Sequence, residues 1–155
     1  MSDYEAYDYS TVADDAYNVS ADWSTAADHA YVAGDTTAYS AYHDQAYDWG
    51  NYSTSMEYVA SDPTDASAWS SAYSDASSAS WDAWSAGNDA YAAGDYALAD
   101  QMYAQSHAAE ATANATWDAW DANSVYNTPS PTDYTAAGGA GDASLISSND
   151  MSSVL

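Results

Sequence analysis

The sequence predicts an all-α protein, with two long helical hairpins forming an antiparallel four-helix bundle between flexible N- and C-terminal tails. Three observations predict it. Apolar and small residues recur at alternating steps of three and four along four separate stretches, the period of a helix buried on one face and not of a strand. The rhythm restarts at two Gly-Asp pairs, Gly34-Asp35 and Gly94-Asp95. The chain also contains 36 Ala, which favour helix and allow close packing.

The first helix is predicted over 11–33, with Val12, Ala16, Val19, Trp23, Ala26, Ala30 and Ala33 as its seam. Gly34 can take the left-handed conformation that ends a helix, and Asp35 can cap the next one. The second helix is predicted over 35–60 through Tyr39, Tyr42, Ala46, Trp49, Ser53, Met56 and Ala60. Gly50 is expected to weaken it locally. Asp62 places a capping side chain before Pro63, so a third helix is predicted over 63–93, with Asp65 favourable in its first turn. Its seam is Trp69, Tyr73, Ala76, Ser80, Ala83, Gly87 and Ala90. Gly94 and Asp95 repeat the corner, and a fourth helix over 95–126 follows Tyr96, Ala99, Tyr103, Ser106, Glu110, Ala113, Trp117 and Trp120. Pro129 and Pro131 stop it.

The expected organisation is a flexible segment at 1–10, a bundle at 11–126 made of hairpins 11–60 and 63–126, and a Ser/Gly/Pro-rich disordered tail at 127–155. Internal repetition supports the two hairpins. Ala30-Tyr31-Val32-Ala33-Gly34-Asp35 returns 60 residues later as Ala90-Tyr91-Ala92-Ala93-Gly94-Asp95. A second echo, Trp81-Asp82-Ala83-Trp84 and Trp117-Asp118-Ala119-Trp120, puts two tryptophans three apart on each of two helices. Around the later corner, Gly87, Gly94-Asp95-Tyr96, Ala99 and Tyr103 fall at spacings that resemble part of a tetratricopeptide repeat, over about 20 residues. The closing proline of that family is missing and the seams are longer than its helices.

The usual core formers are scarce: three Leu, one Ile, six Val and no Phe. The core therefore rests on Ala with 16 Tyr and 7 Trp, whose rings each bury a large surface. Trp23, Trp49, Trp69, Trp117 and Trp120 are expected inside, whereas Tyr4, Tyr7, Tyr9 and Tyr134 fall outside the seams and are expected to make contacts. Glu110 stands on the fourth seam. Either it is buried with a raised pKa or the helix rolls to bury Ala109 instead, and the roll costs less.

There is no Lys or Arg among 155 residues and there are 24 acids, for a formal charge of -24. Direct nucleic-acid binding and anionic membranes are excluded on this reading, because both need basic side chains. The partners that fit are a basic protein surface, a second copy once the charge is neutralised, or diffuse divalent cations. With no signal peptide and no stretch approaching the roughly 20 apolar residues that span a bilayer, the chain is expected to be soluble, cytoplasmic or exported by an uncleaved route.

Catalytic machinery is not legible. His107 and Glu110 have the i, i+3 spacing of di-metal bundles, but with Glu57 they make only a weak metal set, and no calcium-binding helix–loop–helix sequence is present. No Gly-x-Ser-x-Gly elbow, Walker loop or dinucleotide fingerprint occurs. The expectation is a non-enzymatic acidic interaction or assembly protein without a cofactor. The alternatives are a nucleic-acid mimic that inhibits a basic DNA-binding protein and a metal-binding helical bundle.

Overall fold

The computed structural model describes residues 9–124, which form four helices and no strand: α1 (Tyr9–Ala33), α2 (Thr36–Ser61), α3 (Ala66–Ala92) and α4 (Tyr96–Ser124). Successive helices pack along the α1·α2, α2·α3 and α3·α4 seams; α1 and α4 share no comparable seam. The expected tail at 127–155, with Tyr134, and residues 1–8, with Tyr4 and Tyr7, lie outside the described residues. Two residues of the expected N-terminal flexible segment are helical. Tyr9 is buried, its ring meeting Trp69 edge-on with centroids 5.4 Å apart. Burying this ring against α3 gives the first turn of α1 a reason to form, so Tyr9 belongs to the core and not to an outer contact surface.

Both corners follow the predicted chemistry. Gly34 has φ +75° and Gly94 φ +82°, conformations that a Cβ would strain. Asp35 N donates to Ala30 O and Asp95 N to Ala90 O, both at 2.9 Å, satisfying carbonyls that the helix ends leave open. The Asp35 carboxylate accepts from Ala38 N at 2.9 Å and that of Asp95 from Leu98 N at 3.0 Å. The sequence repeat is therefore a repeat of corner geometry.

The start of α3 differs from its prediction. The helix begins at Ala66, capped by Asp65, whose side chain accepts from Ser67 N and Ala68 N. Asp62 instead closes α2 and turns its carboxylate onto Thr64, accepting from the Thr64 hydroxyl at 2.6 Å and from its backbone N at 3.1 Å. Those hydrogen bonds hold the Asp62 carboxyl below the usual carboxylate range. Pro63 is left in the connection, where its carbonyl accepts the Trp69 indole N–H at 2.9 Å. This bond fixes a core tryptophan at the head of α3.

Helix α2 buries more than one stripe. Ala46, Trp49, Ser53 and Met56 are buried as expected, but so are Ala38, Ala41, Gln45, Asp48, Tyr52, Ser55 and Val59. The second row runs along the flank that meets α3 and α4. There Gln45 donates to Ala79 O at 2.9 Å and accepts from Gln105 at 3.0 Å, while the hydroxyls of Tyr52 and Thr116 lie 3.1 Å apart. On the other flank Ser53 donates to Ala13 O at 2.7 Å and Ser20 to Ala46 O at 2.6 Å. A buried polar group without such a partner would cost about 1–3 kcal/mol.

Helix α4 rolls as the cost of burying Glu110 requires. Ala109 is buried and Glu110 is exposed. The buried row is Leu98, Met102, Gln105, Ala109, Thr112, Thr116 and Ala119, flanked by Ala99, Ser106 and Ala113. Trp117 moves outward with Glu110 and is 49% exposed, so its expected place in the core is corrected. Trp120 stays partly buried against the core.

Two glycines inside helices mark close approach. Gly50 does not interrupt α2, and a Cβ there would meet the Ser20 hydroxyl at 3.2 Å. A Cβ on Gly87 would stand 2.7 Å from two ring carbons of Tyr103, whose hydroxyl donates to Asn88 at 2.8 Å. Gly87→Ala is expected to destabilise the fold by about 1–2 kcal/mol, because displacing that ring outweighs the helix propensity gained. Denaturant unfolding checks this. Gly50→Ala should cost less, and Tyr103→Ala should abolish the Gly87→Ala penalty.

Candidate functional site

The weak metal candidates His107, Glu110 and Glu57 do not form a metal-holding group. His107 Nδ1 and Glu110 Oε2 lie 3.9 Å apart as an exposed pair on α4, and Glu57 is exposed on α2. Among the described residues no group of three or more His, Asp or Glu is placed to hold a metal ion. The spacing was right, but both partners point to solvent.

Acid gathers elsewhere, along the seam between α2 and α3. Thr37, Ser40, Ala41, Asp44, Asp82, Ser85, Ala86 and Asp89 line a cleft of about 270 Å³. Beside it Asp48 is only 5% exposed, and no N–H or hydroxyl group reaches its Oδ2. Burial, followed by the negative charge of Asp82, a hydrogen bond shared with the Asp82 carboxyl, and the charges of Asp44 and Asp75, pushes the Asp48 carboxyl up to about 8. Asp75 is also raised by burial, although Ser55 donates to it at 2.6 Å, and burial with the charge of Asp82 raises Asp44. The fold thus keeps at least one carboxyl protonated near neutral pH. Sequence reasoning missed Asp48 because one seam was read on α2 where two are buried.

Of the five tryptophans assigned to the core, Trp23, Trp49 and Trp69 are fully buried. The corner residues Gly34, Asp35, Gly94 and Asp95 turn the chain and are structural. Outside the core stands a set of exposed aromatics, among them Tyr17, Tyr47, Tyr58, Trp81, Trp84 and Trp117. The two Trp-Asp-Ala-Trp echoes separate here. Trp81 and Trp84 face solvent with ring centroids 5.1 Å apart and planes only 32° apart. Trp117 and Trp120 meet nearly perpendicular at 78°, and Tyr73 braces Trp117 at 5.3 Å.

Helix α3 therefore carries Asp82, Ser85 and Asp89 toward α2 and Trp81 with Trp84 on its α4 side. No helix among the described residues is long and apolar enough to cross a membrane. No family model, curated protein or solved structure matches the chain.

Proposed function

We propose that this chain is a non-enzymatic, highly acidic helical interaction protein that engages a cationic partner, or associates with itself once its charge is neutralised. The observation that carries this reading is a one-signed charge, 24 acids with no Lys or Arg, on a helical bundle that leaves several Trp and Tyr rings in solvent. Exposed Tyr and Trp are enriched at interfaces because one end of the ring is apolar and the other is polar. A charge of one sign selects partners of the other and accelerates their encounter.

Titration against a basic globular protein tests the reading. Binding is expected in low salt, weakening steadily as ionic strength rises. Its absence at low salt would remove the cationic-partner reading.

A nucleic-acid mimic is the second reading, favoured by charge density. Residues 11–126 carry 18 acids on helices about 45 Å long, or one charge per ~2.5 Å. Duplex DNA carries one per ~1.7 Å. Competition with DNA for a basic DNA-binding protein separates this reading from the first.

Self-repulsion also makes a stability prediction. The melting temperature is expected to rise when salt is increased from about 10 mM to 500 mM, because the Debye length shortens from ~30 Å to under ~8 Å. Circular dichroism at 222 nm reads it, and a melting temperature indifferent to salt would contradict the electrostatic premise.

A further inference from the structure

We infer that the cleft between α3 and α4 bounded by Trp81, Trp84 and Glu110 is a docking site for an arginine-bearing segment of a basic partner protein. The inference rests on the cationic-partner reading above and names the surface through which it operates.

The cleft is about 330 Å³ and is lined by Ser77, Ser80, Trp81, Trp84, Ser106 and Glu110. Trp81 is 65% exposed and Trp84 46%, so the largest apolar side chains of α3 outside its buried stripe stand together in water. Their rings lean on one another, with centroids 5.1 Å apart and planes tilted by 32°, and both line the cleft, where a cation set against an outer indole face is attracted by the ring quadrupole. The floor is neutral, and Ser80 Oγ donates to Ser106 O at 3.0 Å. Glu110 supplies a carboxylate at the edge, with His107 Nδ1 3.9 Å from its Oε2. One turn beyond Ser77 on α3 and two turns beyond Glu110 on α4, Tyr73 and Trp117 meet at 5.3 Å and continue the aromatic seam.

Charge complementarity selects the occupant. A second copy of the chain would bring another -24 and another Glu110 to the same face, and a lipid or nucleic-acid phosphate would find no Lys or Arg there. A guanidinium satisfies both halves of the cleft, because it stacks flat on indole and offers a planar fork of donors to a carboxylate. An ammonium meets the carboxylate as a point charge and stacks less well.

Fluorescence anisotropy with labelled deca-arginine and deca-lysine peptides, at low salt and at 150 mM, tests the site. The wild-type chain is expected to bind deca-arginine at least ~5-fold more tightly than deca-lysine, a preference of the size that cation–π contacts supply. The double variant Trp81→Ala/Trp84→Ala is expected to lose that preference and to weaken deca-arginine binding about tenfold. Glu110→Gln is expected to weaken it about threefold, and Tyr47→Ala/Tyr58→Ala, which removes exposed rings of α2 outside the cleft, is expected to leave the preference for deca-arginine over deca-lysine in place. Unchanged helicity by circular dichroism shows that these exposed substitutions leave the fold in place. If the tryptophan variant binds deca-arginine like the wild type, the cleft has no role, and binding by diffuse charge alone stands. If the wild type binds neither peptide at low salt, the cationic-partner reading falls together with the site.

Discussion

Asp48→Asn is expected to stabilise the folded chain above neutral pH by on the order of 2–4 kcal/mol, raising the melting temperature there by about 10 °C. The Asp48 side chain is almost wholly buried, it faces the Asp82 carboxyl with no N–H or hydroxyl group at its Oδ2, and its carboxyl is pushed up to about 8 from an ordinary 3.8. Between those two values the folded state holds a proton that the unfolded chain has released. Stability therefore falls as pH rises through this window, and the loss is complete only above about 8. A shift of this size corresponds to an upper limit of about 6 kcal/mol, which relaxation around the charged group and screening of its neighbours reduce. Asparagine keeps the shape, cannot ionise, and has an N–H to offer toward Asp82. Thermal melts at pH 5, 7 and 9 check the sign: the wild type should lose stability steeply across the series and the variant much less. Parallel slopes for the two proteins would show that Asp48 does not carry the pH dependence.

Trp49→Ala is expected to cost about 3–5 kcal/mol, the range for emptying a large aromatic site in a packed core. Trp49 is fully buried on α2, and its ring stands edge-on to Tyr52 at 5.4 Å. Trp117→Ala, by contrast, is expected to cost about 1 kcal/mol, because a half-exposed ring loses mainly its contacts with Tyr73 and Trp120. Trp49→Phe separates volume from polarity. The Trp49 indole N–H has no hydrogen-bond partner, so losing the larger ring is partly offset by removing a buried donor left unmet. Its cost should stay well below half that of Trp49→Ala. Denaturant unfolding of the three variants orders them, and a Trp117→Ala cost equal to that of Trp49→Ala would return Trp117 to the core.

Much of the scaffold was legible before any coordinates. On α1, every member of the predicted seam except the terminal Ala33 is buried. The corners were legible because a left-handed glycine and a capping aspartate act within five residues and need no tertiary partner. The start of α3 was misplaced for a related reason: Asp62-Pro63 and Asp65 both carry capping chemistry, and the choice fell to the bond between Pro63 and the Trp69 indole. The acidic cleft was less legible, since Asp48 and Gln45 look like ordinary outward residues of a helix with a single buried face.

The sequence by itself determined that the chain forms long helices, where they turn, and that its charge has one sign, because period, caps and composition are properties of neighbouring residues. Only the tertiary structure decided how wide each buried stripe is. Packing α2 against α1 on one flank and against α3 and α4 on the other buried a second row and lifted the affinity of Asp48 for its proton. Keeping Glu110 in water turned α4 so that Trp117 left the core. Two copies of one Trp-Asp-Ala-Trp pattern ended in different surroundings for the same reason: whether a side chain meets water depends on which helix lies beside it, and local spacing does not carry that information.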